Sequence, residues 1–128
     1  MRYFHTALSV KNIEKSRAFY ENVFKLTYRT GAERKETGVK FINLQDELEN
    51  VVELFEHNNP LPGKDNLTDL QITGIKHISF IVDKLEPIIE SVLKYGGSVL
   101  REIHPGKTVK RNVIVGDPDG IPIELVEL

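Results

Sequence analysis

The chain has 128 residues, 40% of them hydrophobic and 28% charged, with 17 basic and 19 acidic side chains for a net charge of −2. That length fits one compact unit with its own core, and the near-balance of charge supplies neither a basic stripe for nucleic acid nor a polybasic patch for a membrane surface. Cysteine is absent, which excludes a disulfide framework, a thiolate metal site and a cysteine nucleophile.

From the start of the chain, Phe4, Thr6, Leu8 and Val10 alternate with His5, Ala7 and Ser9, the period of a strand. Asn12 has the chemistry of an N-cap for a helix of about a dozen residues, with Ile13, Tyr20, Val23 and Phe24 along one side. Gly38 to Leu44 and Val51 to Phe55 read as strands around a turn-like, acidic QDELEN. Residues 58–73, rich in Asn, Pro, Gly and Asp, read as a connector. Beyond it Ile78, Phe80 and Val82 alternate with His77, Ser79 and Ile81. A second helix follows, with Asp83 and Glu86 at the spacing of a capping box, Pro87 in the first turn and Gly96-Gly97 as the stop. Ser98 to Ile103, Val109 to Val115 and Ile121 to Val126 complete the strands, with Asp117-Pro118-Asp119-Gly120 as a turn. Neither a secretory signal nor a run of ~18 apolar residues is present, so the expectation is a soluble, cytoplasmic protein without membrane or nucleic-acid partners.

The two halves repeat each other. FHTALSVKNIEKS from Phe4 sets over KHISFIVDKLEPI from Lys76, placing His5 on His77, Val10 on Val82 and Glu14 on Glu86. VVELFE, residues 51–56, sets over PIELVE, residues 122–127, placing Glu53 on Glu124 and Glu56 on Glu127. The anchors lie 48 residues apart in the first half (5 to 53) and 47 in the second (77 to 124). Order, spacing and chemistry match together, which points to a tandem duplication. The expected fold is α+β: one domain of two β-α-β-β-β modules, residues 1–57 and 74–128, forming a cupped sheet.

Two imidazoles and two carboxylates, His5, Glu53, His77 and Glu124, are thus repeated in phase within apolar strand sequence. Any one of them alone is more often a hydrogen-bonded or solvated strand residue. A carboxylate buried among Val, Leu and Phe is costly unless it is paired or holds a metal, and four in-phase occurrences favour a ligand set. Two nitrogen and two carboxylate donors suit Ni²⁺, Co²⁺, Zn²⁺ or Mn²⁺ ahead of Fe²⁺; imidazole disfavours Mg²⁺ and Ca²⁺, and the missing thiolates argue against a closed structural zinc. Such a cation polarises a carbonyl oxygen while a carboxylate takes a proton from the adjacent carbon. Lys107, Lys110 and Arg111 could meet an anionic group but read first as a solvated strand edge. His57, Phe55 and Val126 are possible pocket walls, His104 beside Pro105 reads as loop, and Asp117 and Asp119 belong to the turn.

FHTALSVKNIEKSRAFYENVF, VVELF, GIKHISFIVDKLE and DPDGIPIELVE together resemble the vicinal oxygen chelate superfamily, essentially from end to end. The quartet matches the ligand pattern of glyoxalase I (lactoylglutathione lyase) and of a related bacterial subfamily. The resemblance implies paired modules cupping a divalent metal, with His5, Glu53, His77 and Glu124 as ligands. It implies Glu53 and Glu124 as the groups that move a proton between adjacent carbons of a small 2-oxoaldehyde–thiol adduct, through a metal-chelated enediolate. It also implies a homodimer. Glyoxalase I enzymes that use glutathione typically carry Arg where this chain has Ser9 and Asn where it has His57, so the resemblance carries the metal site further than the thiol. Ring-cleavage dioxygenases and fosfomycin-type thiol transferases of the superfamily use three-ligand sets that Glu53 would crowd. Methylmalonyl-CoA epimerases usually have Gln at that position, and drug-sequestering binding proteins generally lack the quartet.

Overall fold

A computed structural model describes residues 1–64 and 67–128; residues 65 and 66 of the expected connector lie outside the described residues. The chain forms two compact units, Met1–Pro62 and Gly63–Leu128, each a four-stranded mixed sheet with one helix.

The first unit contains β1 (His5–Ser9), α1 (Ile13–Phe24), β2 (Thr27–Arg34), β3 (Val39–Gln45) and β4 (Val51–His57), in sheet order β1-β4-β3-β2. β1 runs parallel to β4, and the other neighbours are antiparallel. α1 starts as the sequence indicates: the Asn12 side chain accepts from the Lys15 N–H at 3.0 Å. The helix lays Ile13, Phe19, Tyr20 and Val23 against β3 and β4, where Leu44, Val52 and Leu54 are buried. β2 had no distinct sequence signal because it is exposed along nearly its whole length and shows no apolar alternation.

The second unit repeats the order with β5 (Ile78–Ile81), α2 (Leu85–Lys94), β6 (Ser98–Pro105), β7 (Arg111–Gly116) and β8 (Pro122–Glu127), in sheet order β5-β8-β7-β6. β5 is parallel to β8. α2 buries Leu85 and Val92 against the sheet face carrying Val113, Val115, Ile123 and Leu125. Gly96, at φ 90°, ends the helix, and the Gly96 and Gly97 N–H groups close on the Leu93 and Val92 carbonyls. The Asp117 carboxylate accepts from the Asp119 and Ile121 N–H groups and forms the expected turn, with Gly120 at φ 77°. His104 and Pro105, expected in a loop, end β6 instead.

The start of α2 departs from expectation. Its N-cap is Lys84, whose side chain makes no capping bond, so the Asp83–Glu86 capping box does not form. Glu127 at the end of β8 accepts from the Leu85 N–H at 2.9 Å instead, while Glu86 turns to Arg111. The first unit contains the same device: Glu56 on β4 accepts from the Ile13 N–H at 2.6 Å. The duplicated Glu56 and Glu127 each tie the first turn of a helix to the last strand of its own sheet. A carboxylate there also meets the positive end of the helix dipole.

Candidate metal centre

Strand alternation sorts each sheet into a helix-packed face and an opposite face that carries the anchors. On β4, Val52, Leu54 and Glu56 face α1, whereas Glu53 and Phe55 share the other face with Ala7 and Ser9 of β1 and with Asn43 and Phe41 of β3. His5 opens β1 on this face, and its Nε2 stands 3.6 Å from Glu53 Oε1. In the second unit His77 immediately precedes β5, and its Nε2 stands 3.5 Å from Glu124 Oε2. The two pairs match in residue type and separation.

Those separations bear on two relationships. They exceed the ~3.2 Å limit of a good N–H···O bond. Ligand bonds of ~2.0–2.2 Å to one cation put neighbouring donor atoms roughly 3.0–3.4 Å apart for octahedral to tetrahedral angles, close to what each pair shows. Nitrogen and carboxylate donors of this kind fit a divalent transition ion. His5 Nδ1 is buried without a hydrogen-bond partner, an orphaned polar atom in a ring whose face is set by an edge contact from Phe4 at 4.9 Å. Among the described residues no group of three or more His, Cys, Asp or Glu side chains is placed to hold a metal ion; the arrangement present is one His–Glu pair in each unit.

Each carboxylate has a neutral side-chain donor, supplied from a different strand. With its amide nitrogen turned to the carboxylate, the orientation that pairs donors with acceptors, buried Asn43 donates to Glu53 Oε2 at 2.7 Å. In the second unit Ser79 Oγ donates to Glu124 Oε2 at 3.1 Å. Neither donor had a signal in the sequence. Finding them required the cross-strand register, which pairs Asn43 with Glu53 and Ser79 with Glu124.

Further along the same face of the first sheet, Ser9, Arg34, Thr37, Val39, Phe55 and His57 line an open groove of about 420 Å³. His57 Nδ1 accepts from the Asn59 N–H at 3.0 Å, which leaves the neutral ring's proton on Nε2. Arg34 lies over the Phe41 ring at 5.8 Å. Two residues of the basic cluster at the start of β7, Lys110 and Arg111, are committed elsewhere. Arg111 pairs with both Glu86 oxygens and with Glu127, and Lys110 Nζ lies 3.9 Å from Glu127. Arg111 first, then the Leu85 N–H, hold the Glu127 carboxyl down to about 2 against the effect of burial.

The repeated module, the mixed sheets and the paired anchors can be compared with known proteins. The sequence model of one superfamily matches residues 2–125. The chain belongs to the glyoxalase/bleomycin resistance protein/dioxygenase superfamily. This superfamily member is 36% identical over 132 residues to a lactoylglutathione lyase of Neisseria meningitidis serogroup A, covering 99% of this chain and 91% of that one. It is 32% identical over 130 residues to a lactoylglutathione lyase of Salmonella typhimurium, covering 99% and 93%. The fold matches a glyoxalase family protein of Enterococcus faecalis with a TM-score of 0.79 at 20% identity, covering 98% and 97%. No helix among the described residues of this superfamily member is long and apolar enough to cross a membrane.

Proposed function

We infer that this superfamily member is a metal-dependent, glyoxalase-like lyase acting on a small 2-oxoaldehyde–thiol adduct. The carrying observation is the His–Glu pair that occurs twice, with separations of 3.6 and 3.5 Å, on the sheet face not occupied by the helix. Relatives named lactoylglutathione lyase, matched along nearly the whole chain, support the same chemistry. His5, Glu53, His77 and Glu124 would be the ligands for Ni²⁺, Co²⁺, Zn²⁺ or Mn²⁺, in a cytoplasmic homodimer. The cation would supply Lewis-acid polarisation of the adduct's two neighbouring oxygens.

The carboxylates do the rest. In a hemithioacetal the carbon bearing sulfur and hydroxyl also carries a hydrogen, and its neighbour is a carbonyl. Glu53 or Glu124 takes that hydrogen as a proton and a proton is returned to the neighbouring carbon, so the carbonyl moves next to sulfur and a hydroxy thioester results. No bond to the thiol breaks and no oxidant is needed. Removal and return occur at adjacent atoms, so a carboxylate on each side of the adduct suits the task. The groove along Phe55 and Val39 would take the thiol's arm.

The test is elemental analysis of protein purified without chelator, for the native chain and Glu53→Gln, followed by proton exchange with a panel of hemithioacetals in heavy water. About one divalent ion per four-ligand site, reduced occupancy in the variant, loss of the hydrogen from the carbon bearing sulfur and solvent deuterium on the neighbouring carbon of the product are expected. Metal-loaded protein that exchanges no proton with any adduct would sink the lyase reading. Iron held equally by both forms would move the site to oxygen chemistry.

A further inference from the structure

The two carboxylates are supported by the same kind of interaction, built from opposite sides. Register places Ala7 of β1 and Asn43 of β3 beside Glu53. It places Ser79 of β5 and Ile114 of β7 in the two corresponding positions beside Glu124. One flanking position therefore holds Ala in the first unit and Ser in the second; the other holds Asn and Ile. Each unit has one polar donor and one apolar filler, exchanged between the neighbouring strands, and in each unit the donor reaches the carboxylate. Packing alone requires no donor at either position, yet each unit has one.

We propose that Asn43 and Ser79 are positioning residues that orient the two carboxylates as ligands. The inference rests on the reading of Glu53 and Glu124 as metal ligands and adds which side chains make them so. Asn43 engages Glu53 Oε2 at 2.7 Å, leaving Oε1, the oxygen 3.6 Å from His5 Nε2, as the ligand atom. In the second unit Ser79 donates at 3.1 Å to Glu124 Oε2, the same oxygen that lies 3.5 Å from His77 Nε2, so there the hydroxyl steadies the carboxylate without sorting its two oxygens. An amide donor on one oxygen fixes the carboxylate torsion and reduces the number of arrangements lost when a cation binds. Outer partners of this type change metal affinity about 10- to 100-fold when removed. Asn43 is buried, whereas Ser79 is exposed and donates through a rotatable hydroxyl, so loss of Asn43 has the larger effect.

The structure also supplies its own rescue. Asn43→Ile copies the second unit's filler and removes the first unit's donor; Ala7→Ser in the same chain restores a hydroxyl at the position Ser79 occupies. Affinity for Zn²⁺ is read by competition with a chromophoric chelator, and coordination by the visible spectrum of the Co²⁺ protein. Melting without metal reports folding separately. Asn43→Ile is expected to weaken Zn²⁺ binding about tenfold or more and to alter the Co²⁺ spectrum. Ala7→Ser/Asn43→Ile is expected to recover both most of the way, and the exposed Ser79→Ala change to cost a few-fold without loss of melting temperature. Native affinity in both Asn43→Ile and Ser79→Ala would overturn this inference and leave the ligand reading standing, as would a double variant no better than Asn43→Ile. Native protein that takes up no divalent ion would overturn both.

Discussion

Glu127 shows how one side chain can carry several constraints. It accepts from the first N–H of α2 and from Arg111, which in turn grips Glu86, so strand end, helix start and β7 meet at one carboxylate. Its ordinary value of 4.5 is lowered to about 2 in the folded chain. A carboxyl depressed in this way stabilises the fold fully above the unfolded value and loses that contribution as pH falls toward the folded one. Glu127→Gln is therefore expected to lower the melting temperature at pH 7 and to converge with the native chain between about pH 4.5 and pH 2. A difference that stays constant down to pH 2 would count against the carboxylate as the source. Sequence matching shows Glu56 and Glu127 as a repeated pair, but their capping role follows only from strand ends brought against helix starts some 42 and 43 residues away.

At the level of elements, each sheet separates structure from chemistry by its pleat. Leu54 and Leu125 occupy equivalent positions on β4 and β8, fully buried and facing the helices, one residue after Glu53 and Glu124. Truncating either to Ala removes packed side-chain volume and is expected to cost ~2–5 kcal/mol. Thermal unfolding checks the cost, and Zn²⁺ affinity below the melting transition should stay within a few-fold of native. A loss of affinity as large as that of Asn43→Ile would mean the two faces are not independent. The helices also show the limit of local signals. Asn12 caps α1 as its side chain suggests, yet Asp83 does not cap α2, where Glu127 offers the Leu85 N–H a buried, charge-assisted partner.

For the whole molecule, the decisive property is that each unit holds half of the proposed ligand set. An ion bound at the proposed ligands stabilises the folded chain by mass action, ~2.7 kcal/mol at a hundredfold excess over Kd. For a chain of this size that corresponds to a rise in melting temperature of roughly 10 °C, reversed by chelator. Glu53→Gln and Glu124→Gln should each remove most of the rise, since each deletes one of four ligands. A full rise in Glu124→Gln would assign the ion to the first unit alone.

The duplication, the β-α-β-β-β order and the four repeated anchors are written in the chain itself, because strand and helix periods and the spacing of like residues are properties of one dimension. β2 escaped that reading since a solvated strand has no apolar alternation to detect. The partners of the anchors escaped it for another reason. Asn43 and Ser79 lie on different flanking strands, Glu56 and Glu127 reach helices far behind them, and Arg34 and His57 meet in one groove across a hairpin. Cross-strand register decides which side chains touch, and it is set by the packing of whole sheets against their helices.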